Sequence, residues 1–192
     1  MDLYSKYFVP FPTVRSGNVI LRRMRKDDLP GLYDYCRRDE SCRYSEWSPH
    51  RKPSDTAGFI SWIISGYRRH ESFTFAVTTA EGDVIGTASY MKFDENYRVA
   101  EIGYGINSDY WHKGYGKSVV EGLIYYAFEV IGVLRVCARV LPENEASAAL
   151  LKGRGFTLEG VNRRALCIKG AYRDVAVYSM LRDEYIRCRT RK

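Results

Sequence analysis

VAEIGYGINSDYWHKGYGK, residues 99–117, is the stretch of sequence that decides the fold. Its first eight residues are typical of a β-strand, and a polar turn with two glycines follows them. The next segment, 114–131, has its apolar residues at helical spacing, at Val120, Leu123, Ile124, Ala127 and Ile131. A strand, a glycine-containing loop and a helix start in this order predict an anion-binding cradle. The first N–H groups of a helix lack internal partners and carry partial positive charge.

The loop itself supplies the features that such a cradle needs. Gly114 and Gly116 have no Cβ atoms, so a phosphate group can approach the backbone, and Lys113 and Lys117 add positive charge. The spacing matches neither the Walker loop nor the dinucleotide-binding glycine pattern. The alternative interpretation is a tight loop that binds nothing.

The rest of the chain predicts one mixed α/β domain with the order β-α-α-β-β-β-α-β-α-β-β. The predicted strands are 19–21, 73–77, 84–90, 99–106, 134–140, 156–161 and 172–181. The predicted helices are 29–36, 53–64, 114–131 and 144–153. A strand, a helix and a second strand between 99 and 140 imply a parallel pair inside an otherwise antiparallel sheet. We expect an irregular N-terminal lead over 1–17, the folded domain over 18–182 and a basic C-terminal tail over 183–192.

Composition excludes several classes of protein. The chain has 192 residues, 45% of them hydrophobic and 28% charged, and no apolar run approaches the roughly 20 residues of a membrane span. Five scattered cysteines and three isolated histidines predict neither a disulfide framework nor a metal site. No secretory signal is apparent at the start, so we expect a cytoplasmic protein without a membrane partner.

The net charge of +7 attracts anions such as nucleic acid or a phosphate-bearing cofactor. Charge alone does not choose between these partners. The densest basic clusters are 22–26 and 182–192, and acidic residues interrupt both regions. We therefore expect a solvated surface and no DNA binding. A homodimer is left open.

The loop over 111–116, WHKGYG, resembles the pyrophosphate-binding motif Q/R-x-x-G-x-G/A of the GNAT superfamily of N-acetyltransferases. Trp111 stands at the Gln/Arg position, and His112 stands where glycine is more usual. Within the superfamily the chain is most similar to the Rim-type branch, which acetylates ribosomal-protein N-termini. The resemblance covers about 15–182 and includes four further stretches: VILRR at 19–23 with Asp27 and Asp28, EIGY at 101–104, NEAS at 144–147 with Gly155 and Phe156, and YRDV at 172–175.

This resemblance implies a mostly antiparallel sheet of about seven strands, splayed into a V, with about four helices. Strands 99–106 and 134–140 would part at one end, and the pantetheine arm of acetyl-CoA would lie in the gap. The backbone of Tyr104, Gly105 and Ile106 would pair with that arm like an added strand, and Asn144 would contact it. The pyrophosphate would be held by Trp111, His112, Lys113, Gly114, Tyr115, Gly116 and Lys117. We expect acetyl-CoA as co-substrate and no metal.

The catalytic roles are predicted from the needs of acyl transfer, which are a neutral amine and a proton for the leaving thiolate. Glu101 lies among small residues and is a candidate general base acting through water, or else one half of a cross-strand ion pair. Ser147 is the candidate acid, or else an ordinary helix-start residue. Many family members carry a tyrosine at the position of Leu151. Cys137 has no accompanying His or Asp motif that would favour a covalent role.

We therefore predict acetyl-CoA-dependent N-acetylation of a primary amine by direct attack on the thioester. A protein N-terminus as acceptor favours an open cleft of mixed charge, and a small amine such as a polyamine or aminoglycoside favours a closed acidic pocket. The loop residues that could line such a pocket are Asp39, Glu40, Glu46, Asp94 and Glu95. The alternative is a non-catalytic CoA-binding or RNA/ribosome-binding module, whose RNA affinity would fall steeply with salt.

Overall fold

The strand before the glycine loop, β5, lies inside an eight-stranded sheet with the order β1-β2-β3-β4-β5-β6-β8-β7. The computed structural model of the protein describes residues 5–94, 96 and 98–190. The strands are β1 Val14–Ser16, β2 Val19–Arg23, β3 Thr74–Thr79, β4 Val84–Asp94, β5 Val99–Ile106, β6 Arg135–Val140, β7 Thr157–Ile168 and β8 Ala171–Leu181. The α-helices are α1 Leu29–Cys36, α2 Asp39–Cys42, α3 Pro53–Arg69, α4 Tyr115–Tyr125, α5 Glu145–Gly153 and α6 Arg182–Thr190.

The sheet divides between β5 and β6. Along its whole length β5 pairs antiparallel with β4, whereas it pairs parallel with β6 only from Val99 to Glu101. Beyond Glu101, β6 continues through Val140 with β8 as its partner. The two strands therefore separate and leave a gap at the end of β5 nearest the glycine loop. The predicted parallel pair and the mixed, mostly antiparallel sheet are confirmed.

Helices cover both faces of the sheet, and strand residues alternate between them. On one face α4 contributes Val120 and Leu123 to the larger core cluster, to which β3 adds Phe75 and Val77. On the other face α1 and α3 pack around Ala76, the β3 residue between those two. This alternation follows from the two-residue side-chain period of a strand. The glycine loop therefore joins β5 to a helix on one face, while α1 covers the opposite face.

Both ends of the chain carry more regular structure than the sequence predicts. Within the expected irregular lead, a 3₁₀ turn at Ser5–Phe8 precedes β1, and Phe8 is buried among aromatic rings. A Cβ on Gly17 would lie 2.3 Å from Ser118 Oγ, so the turn into β2 requires glycine. The expected basic tail begins with α6, whose Tyr185 stacks on Phe128 at 4.9 Å. With β1 the described strands number eight, and with α6 and the short α2, Asp39–Cys42, the described α-helices number six.

Within the described ranges, no helix is both long and apolar enough to cross a membrane. The same residues contain no group of three or more histidine, cysteine or acidic side chains arranged to hold a metal ion.

Candidate functional site

The backbone of β5 determines which polar groups face the gap. The N–H of Asn107 donates to the carbonyl of Ile85 on β4 at 2.8 Å, so the carbonyl of Ile106 points away from β4 and into the gap. In an antiparallel pair this direction alternates along the strand, so the polar groups of Tyr104 also face the gap.

Gly105 departs from the expectation that its backbone is open to a ligand. A Cβ on Gly86 of β4 would lie 2.1 Å from the Gly105 carbonyl oxygen, so this carbonyl points toward β4. Its polar groups therefore belong to the β4–β5 ladder. A bound chain in the gap would find partners at Tyr104 and Ile106 instead.

Trp111 ties the glycine loop to the end of β5. Its indole N–H donates to the gap-facing carbonyl of Ile106 at 2.7 Å, while 42% of the residue remains exposed. One lone pair of the Ile106 carbonyl is thus already used, and the second stays available. Trp111, at the position where the motif has Gln or Arg, therefore holds the loop against the strand.

Other hydrogen bonds fix the shape of the loop from outside. The Asn18 side chain donates to the carbonyl of Lys113 at 3.2 Å, and the Lys113 ammonium donates back to the carbonyl of Asp109 at 2.8 Å. His112 has φ +60°, a left-handed backbone conformation that explains why glycine is the usual residue there. The Lys113 charge thus lies within the loop, and Lys117 is an exposed lysine on the first turn of α4.

The start of α4 has the geometry of an anion site. Gly114 is the N-cap with φ +83°, and a Cβ there would meet nothing within 4 Å. The N–H of Ser118 donates to the Gly114 carbonyl at 3.1 Å, which begins the ladder of hydrogen bonds within the helix. The N–H groups of 114–117 precede that ladder and have no acceptor within the helix. An open glycine beside four such donors fits a diphosphate.

Glu101 lies on the face of β5 that is opposite Tyr104. Its Oε1 accepts from Arg139 Nε on β6 at 2.8 Å, and the Glu101 side chain is 17% exposed. The cross-strand ion pair is therefore present, and Oε2 is the oxygen outside this bond. The neighbouring Cys137 has its pKa raised to about 11 by burial and by the Glu101 charge. Its thiol is protonated at neutral pH, which argues against a nucleophilic role.

The start of α5 brings two predicted residues, Asn144 and Ser147, next to Tyr104, for which the predicted role is a backbone contact with the co-substrate. Asn144 Oδ1 accepts from the N–H of Ser147 at 3.2 Å, so Asn144 caps the start of α5. Ser147 Oγ lies 2.9 Å from the Tyr104 hydroxyl across the gap end of β5. Leu151, at the usual tyrosine position, is fully buried in the core. The signal that could have located Tyr104 is this missing tyrosine together with strand alternation.

A sequence profile described as "Acetyltransferase (GNAT) domain" matches residues 18–157. The chain belongs to the GNAT acetyltransferase family. It is 32% identical over 174 residues to the uncharacterized N-acetyltransferase p20 of Bacillus licheniformis, covering 90% of this chain and 98% of that relative. It is 24% identical over 173 residues to the [ribosomal protein uS5]-alanine N-acetyltransferase of Escherichia coli, covering 86% and 89% of the two chains.

A solved structure supports the same GNAT fold. The microcin C7 self-immunity acetyltransferase MccE, determined in complex with acetyl-CoA and AMP, superposes with a TM-score of 0.76 at 21% identity. The match covers 85% of this chain and 92% of that chain. The GNAT prediction is confirmed, and a relative that acts on a ribosomal protein agrees with the predicted Rim-type branch.

The GNAT domain also contains an acidic cavity of about 280 Å³ near the end of β5 and the start of α1. Its carboxylates come from Asp27, Asp28, Asp34 and Asp83. None of the predicted acidic loop residues lines this cavity, and Glu95 lies outside the described residues. Asp28 already pairs with Arg22 at 2.6 Å, and Asp34 pairs with Arg37 and Arg38. These arginines therefore neutralise part of the negative charge of the cavity.

Gly105 of the GNAT domain is expected to be essential for packing. A Cβ at this position would lie 2.1 Å from the hydroxyl oxygen of Tyr35, which is buried on α1. Gly105→Ala should therefore lower the free energy of unfolding by about 2 kcal/mol, because the buried ring must move. Urea denaturation measures the effect. Gly58→Ala, in α3 with nothing within 4 Å, is the matched control and should raise stability slightly; equal midpoints for both variants would contradict the packing argument.

Proposed function

We propose that this protein transfers the acetyl group of acetyl-CoA to the α-amino group of a protein N-terminus. The observation that supports the proposal most is the gap between β5 and β6, which opens directly beside the N-terminus of α4. A gap with backbone partners and an adjoining anion site suits a ligand that is an amide chain at one end and a diphosphate at the other.

The residues present fit this co-substrate. The N–H groups of 114–117 would hold the diphosphate, and the gap-facing backbone of Tyr104 and Ile106 would pair with the pantetheine amides. Acetyl-CoA supplies an activated acyl group in the form of a thioester. Three other members of the predicted set, Trp111, Lys113 and Asn144, support the site by holding the loop and the start of α5.

Two side chains, which lie on opposite sides of the sheet at β5, would take part in the reaction. Glu101 lies on the face covered by α1, and its Oε2 would take the proton of the attacking amine through a water molecule. Ser147 lies at the start of α5 and would donate a hydrogen bond to the departing sulfur. Arg139 would hold Glu101 in place while occupying only one of its two carboxylate oxygens.

The surroundings of Glu101 favour a polypeptide acceptor. Acidic and basic side chains alternate on this face: Glu101 pairs with Arg139 on β6, and Glu159 on β7 pairs with Arg135. These side chains are partly exposed, which agrees with the open cleft of mixed charge that a peptide requires. The acidic cavity that would suit a polyamine lies near the other end of β5 from Glu101, and two of its aspartates already pair with arginines. An α-amine, with a pKa of about 7.7–8.0, also needs less help from a base than a lysine.

Release of free thiol from acetyl-CoA tests the proposal. We expect peptides with free N-termini, including those of ribosomal proteins, to accelerate thiol release, whereas the same peptides blocked at the N-terminus should not. Spermidine and an aminoglycoside serve as small-amine comparisons. Faster turnover with the small amines would contradict the proposed acceptor class. If no tested acceptor accelerates thiol release and the protein binds RNA with an affinity that falls steeply with salt, the non-catalytic alternative is favoured.

A further inference from the structure

Tyr104 and Ser147 form a pair of hydroxyl groups that links a central strand to a helix start. Their oxygens are 2.9 Å apart, although the residues are 43 positions apart in sequence. Both residues are half-buried, and Tyr104 packs against the main core cluster. The pair lies at the end of β5 where the gap opens, on the face that carries α4 and α5. It is therefore placed beside the path proposed for the pantetheine arm.

The direction of this hydrogen bond follows from the chemistry of the two groups. Burial raises the pKa of Tyr104 to about 12, so its phenol stays protonated at neutral pH. A phenol is the more acidic hydroxyl and hence the better donor. Because the N–H of Ser147 is bound to Asn144, the first turn of α5 is fixed, and only the serine hydroxyl proton remains free to rotate. When Ser147 accepts from Tyr104, its own proton can point to a third atom.

We propose that Tyr104 is a positioning residue that acts through Ser147: its phenol donates to Ser147 Oγ and aims the serine proton at the sulfur of the leaving thiolate. This inference rests on the proposed function. In the reaction itself, the C–N bond forms, the C–S bond breaks, and the sulfur leaves as a thiolate. The two hydroxyl groups form and break no covalent bond. The amine proton goes to Glu101 through water. A donor placed in advance at the developing charge lowers the barrier without reorganising during the reaction.

The arrangement explains how the chain functions without a tyrosine on α5. Leu151 is apolar and fully buried, so this position supplies no hydroxyl. Tyr104 brings a phenol to the first turn of the same helix from the neighbouring strand. The phenol thus reaches the site indirectly, with a serine between it and the sulfur.

Steady-state kinetics separates positioning from a purely structural role. Tyr104→Phe keeps the ring and removes only the hydroxyl; we expect kcat to fall about tenfold, with the KM for acetyl-CoA within twofold. Ser147→Ala should show the same split, and the double variant should lose little more than Ser147→Ala alone. Ser147→Thr, which keeps a hydroxyl, should restore most of the rate. Tyr126→Phe is the matched control, because the Tyr126 hydroxyl donates to the backbone carbonyl of Tyr7, away from the gap.

A second measurement needs no acceptor. Calorimetry first establishes that CoA binds, and the absorbance of the thiolate then follows the ionisation of the bound CoA thiol with pH. A hydrogen bond from Ser147 stabilises the thiolate, so the wild-type protein should hold about tenfold more thiolate at neutral pH than Tyr104→Phe or Ser147→Ala. Tyr126→Phe should behave like the wild-type protein.

The outcomes distinguish this inference from the proposed function. Absence of CoA uptake would overturn both. CoA uptake with identical thiol titrations in wild type and Tyr104→Phe would overturn the positioning role alone. Additive losses in the double variant, or an equal loss of kcat in Tyr126→Phe, would also overturn it, because either result indicates a general effect of removing a buried hydroxyl.

Discussion

Glu101→Gln is expected to lower kcat about 100-fold while leaving the affinity for CoA unchanged. The substitution keeps the size of the side chain but removes its ability to take a proton, and a positioned base typically contributes a factor of this order. CoA would be held at the loop and in the gap, whereas the Glu101 side chain lies on the face of β5 opposite Tyr104. Initial rates with a peptide acceptor, together with calorimetry of CoA binding, measure the two quantities separately.

Two matched variants identify the origin of that loss. Glu159→Gln removes a carboxylate on β7 that is paired with Arg135 and accepts from Ser179, and we expect it to retain most of the activity. Arg139→Gln removes the partner of Glu101 but leaves the carboxylate in place. If Glu101 serves only the ion pair, Arg139→Gln will reduce kcat as much as Glu101→Gln, and the proposed base would have to be abandoned.

Gly114→Ala is expected to weaken CoA binding about 100-fold, the second large effect. Gly114 has φ +83°, which an alanine adopts only with strain, and its Cβ would project into the open space in front of the helix start. Moving the backbone or blocking this space removes charge-assisted hydrogen bonds to the diphosphate, and two such bonds account for a change of this order. Calorimetric titration with CoA at moderate ionic strength measures the affinity.

Gly170→Ala provides a close control for this prediction. Gly170 has φ +81° and nothing within 4 Å of a Cβ, but it lies in the β7–β8 turn. Both variants should lose comparable stability, and only Gly114→Ala should lose affinity for CoA. Comparable CoA affinities for the two variants would refute the assignment of the diphosphate to the glycine loop.

The order of the elements could be predicted because each depends on local patterns. The hairpin of β3 and β4 and the parallel pair of β5 and β6 follow from strand runs, turn residues and connection length. The predicted helix 114–131 is present as α4 continued by a π-helical turn at Tyr126–Ile131, and Gly132 ends it with φ +78°. Strand β1 has only three residues and α6 is strongly polar, so neither produced a clear periodic pattern.

The sequence predicts which residues belong to the site better than it predicts the contacts between them. The glycine loop and the cap by Asn144 follow from residue type and position. The Arg139 partner of Glu101, the direction of the Gly105 carbonyl and the pair of Tyr104 with Ser147 depend on strand register and on helix placement across the sheet. These contacts join positions distant in sequence, so no local pattern contains them.

Only three residue pairs connect β5 to β6, so the sheet consists of two panels joined along a short seam. Strands β1–β5 form one panel, and β6, β8 and β7 form the other. A short seam resists relative rotation less than a full ladder does. A molecule hydrogen-bonded to the edges of both β5 and β6 would restrict the rotation of the two panels relative to each other.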